Sequence, residues 1–302
     1  MTLRYGQGRE WQPSGGAGPI WRIDGLIEPQ DAGLRAPEES GTERLGAWVR
    51  RLRLVRGVGP VRQRRLQASG YQDLVALQRH PAYGADARQA WGAVVERRLE
   101  ELRRRKVREG ELLSMYEAAE LVFFDIETLG LAPVFPVFLA GLLRAERDGW
   151  RCTLLLARTP EEEPALLAGA ETLLREGRAV VTYNGRGFDV PFLAMRRAVN
   201  GQPAPAGWPG VAVLDLLGEA RRRFKGVLGD ARLETVDRYL RWARPAQGLP
   251  SRLVPEHYRR FVESGDPAWI EPVLEHNLQD LLAMANLWGV VADAPDPVRE
   301  MP

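Results

Sequence analysis

Two acidic residues, Asp125 and Glu127, stand two positions apart at the end of the apolar run LVFFDIET. On a β-strand, residues i and i+2 point to the same face, so the two carboxylates are expected to lie side by side. Neighbouring carboxylates raise each other's pKa unless a cation lies between them, so the pair suggests a hard divalent metal. The alternative is a solvent-facing pair, which the apolar neighbours Phe123, Phe124 and Ile126 disfavour.

A further carboxylate, Asp189, occurs in the segment TYNGRGFDVPFL, where an apolar strand ends in a glycine-containing turn and a helix begins. Ligands of open α/β sheets bind at such strand ends. The same pattern is also typical of an ordinary Asn-Gly turn, with an Asp stabilised near a helix N-terminus by the helix dipole. The segment alone leaves both interpretations open.

The C-terminal part of the chain contains a predicted helix in the segment DPAWIEPVLEHNLQDLLAMANLWG. Its apolar stripe consists of Ile270, Leu274, Leu278, Leu281, Ala285 and Trp288. His276 and Asp280 are spaced i, i+4, so they share one helix face beside this stripe. They are expected to line a cleft between the helix and a sheet, the alternative being a surface pair. Pro272 is expected to kink this helix or to mark its effective start.

The elements that must position these side chains follow from hydrophobic periodicity. Apolar runs predict strands in LVFFD, PVFLAGLLRAE, WRCTLLLA, AVVTYN and VAVLDLL. Amphipathic patterns predict helices in PEEEPALLAGAETLLREG and FDVPFLAMRRAV and over most of the remaining chain. This order of elements indicates an α/β protein with a mixed sheet flanked by helices.

The first part of the chain differs in composition. Residues 1–40 are rich in Gly, Pro and isolated charges, and we expect a flexible arm there. Residues 41–117 are predicted to be helical, with a helix over 43–55, a short helix from Val61 to Ser69 and a charged helix from Arg88 to Tyr116. Between Arg50 and Arg108 there are sixteen basic and five acidic residues. This excess favours a polyanion partner, although solvated helix faces are the alternative.

The overall composition excludes several classes of protein. The chain has 302 residues, 45% of them hydrophobic, and a formal net charge of +2, as expected of a globular protein. It contains one cysteine, Cys152, in an apolar run, so disulfide and thiolate chemistry are not expected. The absence of a signal-like or membrane-spanning apolar stretch predicts a cytoplasmic protein without a membrane partner.

Three segments match the motifs of the DEDD exonuclease superfamily in order. FDIETLGL resembles the first motif, YNGRGFDVPFL the second and HNLQD the third. The segments LGDARLETVDRYL and VPEHYRRFVESGD are similar to those that the YprB-like family of RNase H-like proteins carries between its second and third motifs. The resemblance covers roughly residues 118–290. It implies an RNase H-like domain over 118–291, followed by a tail over 292–302 and preceded by a small helical region.

The resemblance also implies a metal site. Asp125 would bridge two divalent cations, Glu127 and Asp280 would hold the first, and Asp189 would hold the second directly or through water. Two such ions stabilise the attacking water and the leaving oxygen of a phosphodiester displacement. Mg²⁺ or Mn²⁺ fits this all-oxygen ligand set, whereas zinc prefers more His or Cys. No organic cofactor is expected.

The remaining site residues follow from the same resemblance. His276 would be the general base, since imidazole titrates near neutral pH. Thr128 and Leu129 would contact the terminal nucleotide, and Asn184 would position substrate or orient a ligand. One departure concerns spacing: His276 precedes Asp280 by four residues, as in the tyrosine branch of the superfamily, whereas the histidine branch usually has five.

A segment of the basic region, LVRGVGPVRQRRLQASGYQDLVAL, resembles a helix-hairpin-helix element. In such an element the hairpin glycines let backbone N–H groups approach a phosphate, and here they would be Gly57 and Gly59. The charge would come from Arg56, Arg62, Arg64 and Arg65. The alternative is a plain connection between two helices.

Together these features predict a two-metal-ion 3′ to 5′ exonuclease acting on DNA or RNA. An RNase H-like endonuclease and an inactive nucleic-acid-binding protein are the alternatives, while the basic segment disfavours a glycosidase that uses paired carboxylates. Four other polar residues, Asp215, Glu234, His80 and His257, are expected to serve as helix caps, ion pairs or solvent-exposed groups. Alternatively, Asp215 and Glu234 could contact the metal ligands and hold them in position.

Overall fold

The structure is a computed structural model, and it describes residues 3–14, 18–28, 34, 41–202, 204, 208–241 and 248–293. The chain forms two compact units. Residues 1–37 and 118–302 form one of them, called here the sheet unit, and residues 38–117 form the other, called the helical unit. The helical unit is therefore inserted in the sequence of the sheet unit.

The helical unit consists of short helices. These are α1 Gly41–Val49, α2 Pro60–Ala68, α3 Leu74–Leu77, α4 Gly84–Val95, α5 Leu99–Arg104 and α6 Glu109–Leu113, with a 3₁₀ turn at Leu52–Leu54. The predicted helix over 43–55 therefore ends earlier, and the long helix predicted from Arg88 to Tyr116 is wrong. Arg97 and Lys106 both have positive φ, a left-handed conformation that interrupts an α-helix at two places in this segment.

The described residues of the sheet unit form seven strands in the spatial order β1-β2-β5-β4-β3-β6-β7. They are β1 Arg9–Trp11, β2 Ile20–Ile27, β3 Leu121–Thr128, β4 Val137–Glu146, β5 Gly149–Leu156, β6 Ala179–Thr182 and β7 Ala212–Asp215. The first five strands in this order pair antiparallel, and β3, β6 and β7 pair parallel. The predicted mixed sheet is confirmed.

The flexible arm expected over residues 1–40 is wrong for β1 and β2. β2 pairs with β5 along seven residues, from Trp21 with Leu156 to Ile27 with Trp150. The charged residue Asp24 interrupts the apolar pattern of this strand, but it is satisfied in the fold by Arg22 at 2.9 Å and by the Thr153 hydroxyl at 2.7 Å. Residues 29–33 and 35–40 lie outside the described part of the chain.

Helices cover both faces of the sheet. They are α7 Glu163–Leu174, α8 Asp189–Val199, α9 Leu217–Leu228, α10 Leu233–Arg241, α11 Val254–Ser264 and α12 Pro267–Asp293. Gly141 of β4 faces α12, because a Cβ at that position would lie 1.8 Å from Asn277 Oδ1. Its neighbour Ala140 points to the other face and pairs with Leu155, which lies against Gly169 of α7. α7 and α12 therefore pack on opposite faces.

The predicted apolar stripe of α12 is buried, apart from the half-buried Trp288. The helix begins at Pro267 and continues through Pro272, which is neither its start nor its end. The tail predicted over 292–302 lies, from residue 294, outside the described residues. Among the described helices, none is sufficiently long and apolar to cross a membrane.

Candidate active site

Four carboxylates and a histidine come together on the face of the sheet that α12 covers. Asp125 and Glu127 lie on β3, where the strand alternation directs both side chains to this face. Asp189, the first residue of α8, accepts a hydrogen bond from the backbone N–H of Ile126. Asp280 of α12 is close enough to repel both β3 carboxylates electrostatically. Three segments distant in sequence thus supply the four acids.

The carboxylates lie close together and are largely shielded from water, which raises the pKa values of Asp125, Glu127 and Asp189. Burial, and then repulsion by Glu127, Asp189 and Asp280, raise the pKa of Asp125 well above its usual value. Burial, followed by repulsion from Asp280, raises the pKa of Glu127 to about 8. Burial is also the main cause that raises the pKa of Asp189 to about 7. The four groups cannot all be ionised near neutral pH unless a cation joins them.

The donor set fits a hard divalent cation. The Oε1 atom of Glu127 is buried and has no hydrogen-bond partner among the described residues, so one ligand atom is left for another group. Oxygen ligands of this kind match Mg²⁺, Mn²⁺ or Ca²⁺. Within the described ranges, no three His, Cys, Asp or Glu side chains already converge at metal-ligand distance. An ion would therefore require the carboxylates to turn toward it.

His276 lies at the edge of the carboxylate group. Its Nε2 atom is 3.6 Å from Asp280 Oδ2 and 3.9 Å from Glu127 Oε1. The hydroxyl oxygen of Ser251 lies 3.4 Å from the same nitrogen. The side chain is mostly buried but lines a cleft, so the ring can contact both the acids and a bound molecule.

Asn277 is a residue of the site that the sequence analysis did not identify. It is fully buried, its Nδ2 donates to Asp125 Oδ2 at 2.8 Å, and it also hydrogen-bonds Glu127. A carboxylate can only accept, so the amide nitrogen must face the acids. Gly141 lies opposite Asp125 in the neighbouring strand and leaves room for the amide. The position of Asn277 inside the motif HNLQD, directly after His276, is the sequence signal that could have identified it.

The turn after β6 is held by Asp215 at the end of β7. Its carboxylate accepts from the backbone N–H groups of Asn184 at 2.9 Å, Arg186 at 3.1 Å and Leu217 at 3.0 Å. Asn184 itself has φ 68, a conformation that Asn tolerates better than most residues. Asp215 thus combines a turn-holding role with capping of α9, and Asn184 is exposed and lines the cleft.

The two residues after the first motif form the start of a tight loop. The strand register shifts between Glu127 and Thr128, which marks a β-bulge. The Thr128 hydroxyl donates to the carbonyl of Gly130 at 2.8 Å, and the Leu129 N–H donates to Pro136 at 3.1 Å. Both residues are half-buried, so the structure positions them next to Glu127 at the edge of the acidic group.

A buried ion pair fixes the helix that carries Asp189. Arg196 of α8 donates to Glu163 of α7, with Nε 2.8 Å from Oε1, and both side chains are almost completely buried. The same guanidinium donates to the carbonyls of Pro133 and Val134 at 3.0 and 3.2 Å. This network ties α8 to the loop between β3 and β4, which is the other side of the acidic group.

A cleft of about 960 Å³ opens beside the acids within the sheet unit. His276, Asp280, Tyr183 and Asn184 are among the residues that line it. Glu234 also lines the cleft and forms an ion pair with Arg238 at 2.7 Å. The cleft gives the carboxylates access to a molecule from solution.

The other polar candidates have structural roles. Nδ1 of His80 accepts from the backbone N–H groups of Ala82 and Tyr83 at 3.1 and 3.3 Å. His257 Nδ1 lies 3.1 Å from the carbonyl of Trp269. Cys152 is free and buried, and burial raises the pKa of its thiol above its usual value, so it is not a nucleophile.

The basic hairpin of the helical unit is a tight turn between a 3₁₀ turn and α2. Gly57 has φ 78, and Gly59 precedes Pro60 at the helix start. Arg62 Nη1 donates to the carbonyl of Gly57 at 2.7 Å, which closes the turn. The remaining predicted contacts, Arg56, Arg64 and Arg65, have exposed side chains. The hairpin therefore presents cations and backbone to solvent.

Part of the basic excess in the helical unit is used internally. The Arg105 side chain, 2% exposed, forms salt bridges with Asp86 at 3.0 Å and Glu101 at 3.1 Å. Arg103 pairs with Glu109 at 2.7 Å. These arginines stabilise the unit, so only part of its basic residues, including those exposed on α2, is available to a polyanion.

The raised pKa values predict how the stability of the metal-free protein depends on pH. Between about pH 4.5 and 8, folded Glu127 holds a proton that the unfolded chain has lost, so the free energy of unfolding falls as pH rises. A divalent cation replaces these protons, so Mn²⁺ should raise Tm more at about pH 8 than at about pH 6. Thermal unfolding with and without Mn²⁺ measures both effects.

The matched variant is Glu127→Gln, which removes one proton-linked group at almost constant volume. It should reduce the pH slope of the free energy of unfolding by about 1.4 kcal/mol per pH unit. It should also diminish the effect of Mn²⁺ on Tm. Equal increases in Tm at both pH values in the unmodified protein would contradict competition between cation and protons.

Comparison with known proteins connects this geometry to a family. A family model described as the RNase H superfamily matches residues 122–292. YprB of Bacillus subtilis (strain 168), an uncharacterised protein, is 32% identical over 177 residues, or 57% of this chain and 42% of YprB. The chain thus spans less than half the length of that relative.

A solved structure is also similar. The family B DNA polymerase from the hyperthermophilic archaeon Pyrobaculum calidifontis aligns with a TM-score of 0.45 and 22% identity, over 55% of this chain and 24% of the polymerase chain. The family match carries the assignment, because it spans more than half of the chain and includes all four carboxylates. The chain belongs to the RNase H superfamily, and YprB is among its relatives.

Proposed function

We propose that the protein is a metal-dependent nuclease that removes nucleotides from the 3′ end of DNA or RNA strands. Membership of the RNase H superfamily supports a nuclease with a nucleic-acid substrate. The observation that carries the finer proposal is the group of partly or fully buried carboxylates from β3, α8 and α12, with His276 Nε2 3.6 Å from Asp280. Four anions in one cleft destabilise a protein that has no use for them, which disfavours an inactive nuclease fold.

In this proposal two Mg²⁺ or Mn²⁺ ions bind the carboxylates. Asp125, Glu127, Asp189 and Asp280 would hold them. When bound, the ions lower the pKa of a water molecule and stabilise charge on the phosphate. Asn277 keeps Asp125 and Glu127 side by side, so the protein supplies a ligand pair of fixed separation.

The protein's own residues bind the strand and move one proton. The oxygen of a water molecule attacks the last phosphorus, and the bond from phosphorus to the 3′ oxygen of the preceding nucleotide breaks. His276 Nε2 accepts the proton that the water loses, and the leaving oxygen takes a proton from solvent. The products are a nucleoside 5′-monophosphate and a strand shorter by one nucleotide.

The 3′ direction rests on the surroundings of Glu127. This residue, together with the bulged backbone at Thr128 and Leu129, lies at the edge of the acidic group, where it can contact a terminal 3′ hydroxyl. Asn184, exposed at the turn after β6, is proposed to contact the same nucleotide. An enzyme that cuts inside a strand would not need contacts to an end.

The direction is tested with strands labelled at their 5′ end, incubated with Mg²⁺ or Mn²⁺. We expect a ladder of products that shortens with time, and slow cleavage when the 3′ hydroxyl is blocked. The Asp125→Asn protein, purified in parallel, controls for contaminating nucleases. Circular single strands cut as fast as linear ones would replace the exonuclease proposal with an RNase H-like endonuclease.

We also propose that the helical unit binds the strand outside the active site. The exposed cations of α2, Arg62, Arg64 and Arg65, would contact phosphates, and Arg56, Gly57 and Gly59 would provide charge and backbone N–H groups at the hairpin. Phosphate contacts of this kind increase affinity without reading sequence. They would hold a long strand while its end is removed.

A further inference from the structure

The cleft beside the carboxylates is also lined by arginines. Arg221 of α9, Arg232 just before α10 and Arg252 in the turn before α11 line it together with Tyr183. The Tyr183 hydroxyl donates to the carbonyl of Ala231, so the end of β6 is joined to the segment that carries Arg232. Arg221 is near enough to act electrostatically on that tyrosine. Acids and arginines therefore line the same cleft.

These arginines differ from most others of the sheet unit. Typical arginines there are neutralised by a nearby acid, such as Arg197 with Glu171 at 2.5 Å. Arg221 and Arg252, by contrast, form no salt bridge or side-chain hydrogen bond with any residue in the described ranges. Unpaired guanidinium groups in a concave site attract anions, and their planar donors match the oxygens of a phosphate.

Acids also line the cleft, and Asp230 acts electrostatically on Arg232. Glu234 is already paired with Arg238, and Glu275 accepts a hydrogen bond from Gln279 at 2.6 Å. Asp280 belongs to the carboxylate group described above. Arg221 and Arg252 therefore remain available to a bound anion.

We propose that Arg221, Arg232 and Arg252 form a binding site for the phosphates of a single strand, adjacent to the bond that is cut. The inference rests on the proposed function and names its substrate class. A cleft of about 960 Å³ is at the upper end of the range of small-molecule sites, about 300 to 1,000 Å³. It therefore accommodates a short stretch of single strand and is too small to enclose a duplex.

The test compares a double variant, which carries both Arg221→Gln and Arg252→Gln, with the single control variant Arg259→Gln. Arg259 is exposed on α11 and does not line the cleft. Binding of a short fluorescent oligothymidylate is measured by anisotropy in EDTA, where no cleavage occurs, at several salt concentrations. Loss of two phosphate contacts should reduce the slope of log affinity against log salt by about 1.4. With Mn²⁺ present, KM should rise at least tenfold while kcat stays within about twofold of the unmodified value.

A further pair of variants separates the cleft from the helical unit. Arg64→Gln with Arg65→Gln should weaken the binding of long strands and leave short ones unaffected, because a short strand in the cleft does not need α2. A blunt duplex should not compete with the short strand. Binding is measured separately with single-stranded DNA and single-stranded RNA. Binding of either strand that depends on the arginines supports the proposal.

The outcomes distinguish this inference from the proposed function. If strands are cut but the double variant binds the short strand with unchanged affinity and salt slope, the cleft proposal fails and the nuclease remains. If the double variant loses binding but the unmodified protein cuts no strand, the nuclease proposal fails and the binding site stands. Equal competition by blunt duplex would overturn the single-strand assignment.

Discussion

Asp125→Asn is expected to lower kcat/KM for strand hydrolysis by on the order of 10³-fold or more, because ion binding contributes several kcal/mol to transition-state stabilisation. Asp280→Asn should have an effect of similar size. Each substitution replaces a charged oxygen ligand with a neutral amide of almost the same shape. The rate is measured on an end-labelled single strand at saturating Mg²⁺ or Mn²⁺.

The same substitution should increase the stability of the metal-free protein. Asp125 is repelled by three neighbouring carboxylates, and the amide removes that repulsion without leaving a cavity. Activity should therefore vanish while Tm rises, which a general folding defect cannot produce. Asp148→Asn, at an exposed turn after β4, is the matched control and should change neither quantity. Near-normal rates in Asp125→Asn would mean that the metal site lies elsewhere.

Asn277→Ala provides a graded comparison with the ligand variants. The amide positions Asp125 and Glu127 but is not itself proposed to bind the ion, so its loss should weaken Mn²⁺ affinity by about 10 to 100-fold. High Mn²⁺ should restore much of the rate, in contrast to Asp125→Asn. Titration of Mn²⁺ by calorimetry measures the affinity independently of activity.

His276→Ala is expected to lower kcat by about 10² to 10⁴-fold, the usual contribution of a general base, with little change in KM. A base acts in the transition state, so strand binding should survive its loss. The increase of the rate between about pH 6 and 8 should become flatter, because the group that accepts the proton has been removed.

The control for His276→Ala is the affinity of the protein for Mn²⁺. His276 Nε2 is within 4 Å of Glu127 and Asp280, so a histidine that merely arranges these acids would also affect the ion. Unchanged Mn²⁺ binding with a lowered kcat supports the role of a base. A parallel loss of Mn²⁺ affinity, or an unchanged pH profile, would make His276 a positioning residue.

The sequence was sufficient to predict those elements whose periodicity is strong and whose partners are close in the chain. The strand run that ends in Asp125 and the i, i+4 pair of His276 and Asp280 are local patterns, and the sheet brings them together because β3 and α12 are packed against each other. The mixed sheet followed from the same apolar runs. The order of the three motifs along the sequence then assigned Asp189 to the same site.

Residues that act through distant partners could not be predicted in this way. Asn277 has a role only because Gly141, on another strand, leaves space for its amide beside Asp125. Glu163 and Arg196 resemble ordinary helix charges in the sequence, but in the fold they become a buried pair. Tertiary context, which local patterns do not contain, decides such cases.

The pairing of β2 with β5 has a consequence for the order in which the protein can form during synthesis. Ile27 pairs with Trp150, which is synthesised only after the helical unit. β1 and β2 can therefore join the sheet only when the whole helical unit has left the ribosome. Until then, β2 has backbone groups that lack their partner strand, a state prone to pairing with other chains. A shortened chain that starts after the helical unit would lack β1 and β2, so the edge of β5 would have no partner strand. An internal deletion of residues 38–117 would remove the helical unit and keep all the described strands of the sheet.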